Sequence, residues 1–481
     1  MGQVVGDVVA TIEASRRVVT KRMPQDPASY RDPAGHVHLL GSKVYRSVLP
    51  PGVDHYTAAR DSGFLERATA IGRLIEGREV APAVLRDEAP GAAYVLEHPR
   101  IGFISYPYCW SFYGLQAAGI LTLDLHLDAL EHGLTLSDAS AYNVQFQGPR
   151  PIFIDYLSLI RYDEGQVWLG YRQFCEHFLN PLLLTAKTGV AFQPWFRGTL
   201  DGIPAADLGA VLPLRAWLNP LVAIHVKVQG SMQRSVTADR TRVAKTVRLS
   251  KTSLINNLRS MRGLVAKLKP PASQLSPWQH YERTAHYTTD ERAAKARFVG
   301  DVVRASGAQT VWDLGCNSGE YSEIALGSGA TSVIGFEPDS GAVNAAFQRA
   351  TTKGLNFLPL SLDLTNPSPS LGWRQQERMG LAERRNADLV LCLALLHHLV
   401  LGRNLPVNQV LDWLVGLAPK GVIEFVPKDD PMAAQLLTWK PHVAPDYNRA
   451  TVAKLLGARA RIEREEVVTS SGRVLFAYSR Q

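Results

Sequence analysis

The sequence predicts an α/β protein in two unequal parts: a parallel-sheet domain at the C-terminal end and an α+β region ahead of it. Three observations predict this. Residues 310–339 run apolar strand, glycine turn, small-residue helix, apolar strand, acid, the layout that seats an adenosine-containing ligand at the edge of a parallel sheet. Further apolar strand-like runs follow at 360–364, 387–393 and 422–426, and two more flank Ser470-Ser471-Gly472 as a closing hairpin. Finally, 481 residues exceed one average domain, and a 46% hydrophobic content is ample for more than one core.

Charge and cysteine usage narrow the class. The net charge of +8 is concentrated: Lys227 to Lys269 holds eleven Lys/Arg and one acid, Asp239. Such a segment reads as the solvated face of a helical linker, or as a grip for nucleic acid or a membrane surface. The four cysteines (Cys109, Cys175, Cys316, Cys392) are scattered, without CxxC spacing. A metal site and a disulfide framework are therefore not expected, and a reducing cytoplasm fits best. No stretch offers the roughly 18 uninterrupted apolar residues of a transmembrane span, and residues 1–22 are too charged for a secretory signal.

In chain order, residues 1–35 read as irregular, broken by Pro24, Pro27, Pro33 and Gly35. Two short strands are expected around Gly41-Ser42 within 36–49, then a helix over 55–76 carrying Phe64, Leu65, Ala68, Ile71, Leu74 and Ile75. Residues 92–97 and 101–106 read as a second strand pair. An aromatic stretch follows (Tyr106, Tyr108, Trp110, Phe112, Tyr113), and then a strongly periodic helix over 116–132. Residues 217–269 read as mostly helical, and Pro270-Pro271 marks the best boundary. The resulting division is 1–225, a basic helical linker at 226–275, and 276–481. A helix over 291–305, with Lys295 and Arg297 on its polar side, leads into the opening stretch.

Between the two parts of the N-terminal region lies Leu136-Ser137-Asp138-Ala139-Ser140-Ala141-Tyr142-Asn143, then a strand, a Gly148-Pro149 turn, and a strand ending at Asp155. This order resembles the catalytic segment of the protein-kinase-like and aminoglycoside-phosphotransferase folds. The resemblance implies Asp138 as the loop acid, Asn143 and Asp155 as magnesium ligands, and Glu66 as the acid on the first helix. Three departures stand against phosphoryl transfer: no Gly-rich phosphate loop, only Lys43 and Arg46 as candidates for the strand cation, and Ser137 before the loop acid. A non-catalytic scaffold or acceptor-binding domain fits better than an active phosphotransferase; Mg-ATP enters only if this domain is an active kinase.

The C-terminal turn discriminates among cofactors. Gly315-Cys316-Asn317-Ser318-Gly319 lacks the middle glycine of the dinucleotide fingerprint, and Glu320 stands where a phosphate-binding loop needs lysine. Asp313-Leu314-Gly315 with Gly319 resembles the first motif of class I methyltransferases that use S-adenosylmethionine, a cofactor without phosphate whose sulfonium and ribose favour an acidic turn. The resemblance extends to Glu337, which with Pro338 would receive the ribose hydroxyls, and to Asp363 with Leu364 at the adenine. Ala394-Leu395-Leu396-His397-His398-Leu399 would face the cofactor after the fourth strand. It implies a Rossmann-like seven-stranded methyltransferase domain whose last strand is antiparallel, with Asp313, Gly315, Cys316, Asn317, Gly319, Glu337, Pro338, Asp363 and Leu364 at the cofactor. Cys316 and Cys392 also read as small core residues.

The implied reaction is in-line displacement of a methyl group, with the nucleophile held about 3–3.5 Å from the methyl carbon. A hydroxyl acceptor needs a base, for which His397, His398 and Glu424 are the candidates. The whole chain resembles a group of bacterial two-part proteins described as S-adenosylmethionine-dependent methyltransferases, some of them of nodulation type. The phrases that carry this are VLEHPRIGFISYPYCWSF, LSDASAYNVQF, YRQFCEHFLNPLLL and LALLHHL. The leading expectation is methyl transfer to a small-molecule or glycan acceptor recruited by the N-terminal region. A bifunctional kinase/methyltransferase, and an RNA methyltransferase gripping through the basic segment, remain open alternatives.

Overall fold

The computed structural model describes residues 25–235, 248–271, 287–438 and 444–480. Two strands joined at Gly41, β1 (Val37–Leu40) and β2 (Lys43–Val48), form the expected hairpin. With β3 (Arg78–Val80) and β4 (Tyr94–Pro99) they make an antiparallel sheet in the order β1-β2-β4-β3. The single helix expected over 55–76 is instead two, α1 (Val53–Asp61) and α2 (Phe64–Ala70). Gly63 between them takes φ +74°, a left-handed turn that glycine enters without steric cost.

Residues 101–106, expected as a strand, are irregular. Their backbone groups are taken elsewhere: Gly102 O accepts from the Asn386 amide at 2.5 Å, Ile104 O from the Arg384 guanidinium at 2.9 Å. Ser105 exchanges two hydrogen bonds with the Gln145 amide. A segment with its backbone groups already satisfied by side chains has no need of a strand partner. Helix α3 (Phe112–Glu131) follows, its first turn capped by the Ser111 hydroxyl, which accepts from Gly114 N at 3.0 Å. Then come β5 (Leu134–Leu136), the hairpin β6 (Val144–Gln147) with β7 (Arg150–Phe153), and β8 (Leu159–Arg161) antiparallel to β5.

The basic segment contributes helices α4 (Pro220–Ser235) and α5 (Lys251–Lys267); residues 236–247 of it lie outside the described residues. Helix α5 is no free connector. Leu254, Leu258, Met261 and Val265 are buried, Arg262 grips Asp124 of α3 with two bonds of 2.5 and 3.0 Å, and the Gln116 amide donates to Val265 O and Leu268 O.

The C-terminal part is a seven-stranded sheet. It comprises β9 (Thr310–Leu314), β10 (Ser332–Glu337), β11 (Phe357–Ser361), β12 (Leu389–Cys392), β13 (Lys420–Phe425), β14 (Arg461–Val467) and β15 (Val474–Ser479). Their order is β11-β10-β9-β12-β13-β15-β14, with β9 to β13 parallel and β15 antiparallel to both neighbours. The seven strands and the antiparallel last strand are those implied by the sequence resemblance.

Period-two alternation divides the sheet between two cores. Val311, Val333, Phe357, Leu389, Leu391 and Val422 face α6 (Thr289–Ser306), α7 (Glu320–Gly327) and α8 (Ser340–Lys353). Trp312, Leu314, Ile334, Phe336, Leu358 and Leu360 belong to a core that runs without a break into the N-terminal region. Phe103 sets its edge against Trp312 and Phe336, with ring centroids 5.7 and 6.1 Å apart. Trp110 bridges to Leu360, and Phe112 N donates to the Asn344 side chain at 3.0 Å. The N-terminal region thus serves as one covering layer of the C-terminal sheet.

Candidate active site

The chain leaves β9 and β12 in opposite lateral directions, so a crevice opens at the carboxyl ends of these strands. A cavity of about 640 Å³ occupies it, lined among others by Asp313, Asn317, Glu337, Asp363 and His398. The turn after β9 is shaped by close contact. Gly315 and Asn317 take φ +73° and +47°, Gly319 +86°. A Cβ on Gly319 would lie 2.5 Å from the Phe357 ring, so only glycine fits there. Asn317 tolerates its left-handed backbone because its side-chain oxygen accepts from Ser318 N at 2.7 Å.

Glu337, at the end of β10, accepts from Asn317 N on one oxygen and Asp339 N on the other, both at 2.9 Å. Burial, only partly opposed by these amides, pushes its carboxyl up to about 7. Asp313 accepts from the Ser322 hydroxyl at 2.7 Å, and burial raises it to about 6. Neither carboxylate has an ion-pair partner among the described residues. Asp363, two residues past β11, is held by Thr365 N and Oγ1 at 2.8 and 2.7 Å and faces Arg403 at 3.5 Å. Gly315, Cys316, Pro338 and Leu364 complete the wall. The crevice thus gathers the predicted Asp313, Gly315, Cys316, Asn317, Glu337, Pro338, Asp363 and Leu364; Gly319 is not in its lining and closes the turn by donating to Cys316 O at 2.9 Å.

The three candidates for proton transfer separate. His398 lines the cavity; burial holds its imidazole below the usual range, so it is neutral near pH 7. His397 lies wholly buried behind it, ring centroids 4.2 Å apart, and burial pushes its pKa well down. Neither of its nitrogens has a hydrogen-bond partner among the described residues. Glu424 is absent from the cavity wall and fully buried. Its carboxylate receives Lys295 Nζ and the Tyr287 hydroxyl at 2.6 Å each and Ala394 N at 2.8 Å, with Arg473 at 3.7 Å. Burial alone would raise Glu424, but Lys295 and Arg473 outweigh it and hold the group at about 2. A carboxylate that is ionised and fully bonded is an anchor rather than a proton acceptor. What it anchors is Ala394, a non-glycine residue at φ +46° in the cavity wall.

Residues missed from sequence also line the cavity: Tyr287, Arg292, Tyr321 and Arg403. Lys295 does so too and corrects an expectation, since it is buried rather than on the polar side of α6. Its signal was its spacing from Phe298 and Val299, both fully buried on the same helix. Arg292 pairs with Glu320 at 3.1 Å, the acid that replaces a phosphate-binding lysine.

In the N-terminal region, Asp138, Asn143 and Asp155 do come together. Asp138 accepts from Ser140 N at 2.8 Å, and burial followed by the nearby Asp155 raises its carboxyl. Asn143 donates to the Ser158 hydroxyl at 3.2 Å, and that hydroxyl donates to Asp155 at 2.5 Å. Arg46 of β2 lies against Asp155 at 3.2 Å and pairs with Asp32. A guanidinium on a presumptive metal ligand does the charge neutralisation that a cation would otherwise do, so this donor set does not fit magnesium as it stands. Glu66 is exposed on α2.

No family model matches the chain. It is 38% identical over 456 residues to the nodulation protein NoeA of Rhizobium meliloti (strain 1021), across 94% of this chain and 95% of that protein. Among solved structures, magnesium protoporphyrin IX methyltransferase from Synechocystis PCC 6803 with bound S-adenosylmethionine aligns at TM-score 0.31 and 19% identity, over 44% of this chain and 94% of that one. The N-methyltransferase NodS from Bradyrhizobium japonicum WM9, in complex with S-adenosyl-L-homocysteine, aligns at TM-score 0.30 and 15% identity, over 42% of this chain and 97% of that one.

Proposed function

The chain belongs to the family of the nodulation protein NoeA, and from that membership and the crevice geometry we propose that it transfers the methyl group of S-adenosylmethionine to a small-molecule or glycan acceptor. The observation that carries this is Glu337, a buried carboxylate at the end of β10 with no ion-pair partner among the described residues, opening on a cavity whose turn offers acids rather than phosphate-binding groups. The acids of that turn suit ribose hydroxyls and a sulfonium, and of the cations in the wall Arg292 is paired with Glu320, Lys295 with Glu424 and Arg403 with Asp363.

In this reading, Glu337 with Pro338 receives the ribose hydroxyls, and Asp363 with Leu364 meets the adenine. Asp313 and the turn Gly315, Cys316, Asn317 and Gly319 hold the amino-acid end. The bound cofactor supplies an electrophilic methyl on a positively charged sulfur. His398, neutral in the wall, takes the proton from the acceptor; His397 backs its ring. Glu424 fixes the loop at Ala394 so that this wall is preorganised.

The unit spanning 276–481 is the methyltransferase domain; 1–225 with the basic segment at 226–275 shapes acceptor access. The N-terminal region acts without Mg-ATP, a reading supported by Arg46 at Asp155. The relative's nodulation role supports placing the acceptor among nodulation compounds.

Calorimetry with S-adenosylmethionine and S-adenosylhomocysteine tests the central claim. The wild-type chain is expected to bind both and Asp313→Ala to bind them at least tenfold more weakly; a wild type that binds neither overturns it.

A further inference from the structure

Several exposed apolar side chains lie outside the lining of the crevice. Leu214 and Leu218 open and close a short 3-10 helix, Leu214–Leu218, and are 89% and 85% exposed. Val211 before it and Ile224 on α4 are 48% and 53% exposed. Single exposed leucines are ordinary, but four exposed large aliphatic side chains within fourteen residues, two of them almost bare, are a local apolar density that asks for a cover. The patch rests on a rigid seat. Trp217 between the two leucines is half-buried, and the Asn219 side chain caps α4 by accepting from Leu221 N at 3.0 Å.

Among the described residues, the charges beside this patch are mostly positive, with Asp207, exposed on the helix that ends at Val211, the acid among them. Arg215 sits between the two leucines and is exposed, and Lys227 Nζ stands 5.7 Å from the Trp217 ring centroid.

We propose that the Val211–Leu214–Leu218–Ile224 surface docks the protein on an anionic lipid bilayer, with the leucines entering the headgroup–acyl boundary and the flanking cations meeting the lipid phosphates. Bare aliphatic tips beside an exposed arginine and lysine are the pattern of an interfacial anchor. A nucleic acid would be met by stacked aromatic rings and polar groups rather than by leucines. A second copy related by a two-fold axis would bring each cationic rim against its own like. No helix among the described residues is long and apolar enough to cross a membrane, so the contact is peripheral.

Co-sedimentation of the full chain with phosphatidylcholine vesicles, with and without phosphatidylglycerol, tests this. Binding is expected only to the mixed vesicles, weakening as salt rises. The double variant Leu214→Glu, Leu218→Glu is expected to lose roughly tenfold or more in partitioning. Both side chains are solvent-exposed, so its melting temperature and cofactor affinity should stay at wild-type values. The proposal is overturned if wild type ignores mixed vesicles, or if the double variant binds them as well as wild type does. It is equally overturned if that variant instead abolishes a dimer or an RNA complex while vesicle binding is unchanged.

Discussion

Two clusters of carboxylates, one in each half of the chain, use similar residues to opposite ends. Asp138 and Asp155 in the N-terminal region are bonded inward, to Ser140 N and to Ser158 and Arg46. Asp313 and Glu337 in the C-terminal sheet receive only backbone amides and a serine hydroxyl and border an open cavity. The difference is whether the desolvation of each acid has been offset by the protein itself. At Asp155 the Arg46 guanidinium already offsets it, although Asp138 beside it is raised by burial. At Asp313 and Glu337 no ion-pair partner does so among the described residues, and these raised carboxyls, at about 6 and about 7, border an open cavity with room for a ligand.

The largest expected effect comes from removing the charge on the open side. Glu337→Gln keeps the shape but loses a charge-assisted acceptor, and forces an amide NH₂ toward Asn317 N or Asp339 N, which are donors themselves. With about 1.5–3 kcal/mol for each hydrogen bond to a charged group, affinity for S-adenosylmethionine should fall roughly tenfold to over a hundredfold. Calorimetry reads this directly, and an unchanged affinity would break the contrast between the clusters.

Acidification should reach the same group more gently. Ribose hydroxyls bind the ionised carboxylate, and Glu337 takes up a proton as pH falls through about 7. Cofactor affinity should therefore be flat above pH 7 and decline by up to tenfold per unit below it, with proton release on binding near pH 6.5. Stability of the ligand-free protein should move the other way. A folded-state pKa raised above the unfolded value of a glutamate, about 4.3, contributes stability that is full below that value and is lost as pH rises through about 7. Titrations in buffers of different ionisation heat test the first claim, and ligand-free melting between pH 5 and 8, a range chosen from about one to two units around that pKa, the second.

The open cluster was legible in sequence because its parts lie at strand ends of fixed spacing: Asp313, Gly315, Gly319 and Glu337 fall within one strand–helix–strand unit. Tyr287 was not, since its position depends on Glu424 more than a hundred residues away; Lys295 showed its burial in its spacing from Phe298 and Val299 but not its partner, the same Glu424. The fold followed the same divide. The apolar strands of the C-terminal sheet announced themselves, whereas residues 101–106 carry strand-like apolar character yet serve as an irregular seam. What decides this is the side chains of Arg384 and Asn386, which meet that backbone only after the halves pack. Likewise Asp138, Asn143 and Asp155 could be foreseen as neighbours, while Arg46, which changes their meaning, is distant in the chain.

The smallest effect belongs to the closed cluster. Asp155→Asn leaves the Arg46 guanidinium with Asp32 and weakens the bonds from Arg46 and the Ser158 hydroxyl at a position whose side chain is 21% exposed. Solvent screening keeps the expected loss to about 1 kcal/mol, a few degrees in Tm. Affinity for S-adenosylmethionine should not change, and Mg-ATP should shift the Tm of neither the wild type nor the variant. A magnesium-dependent shift in wild type that disappears in Asp155→Asn would reverse the comparison. It would mean that Arg46 swings away to admit a cation, and that the inward bonds of this cluster describe a resting arrangement of a second active site.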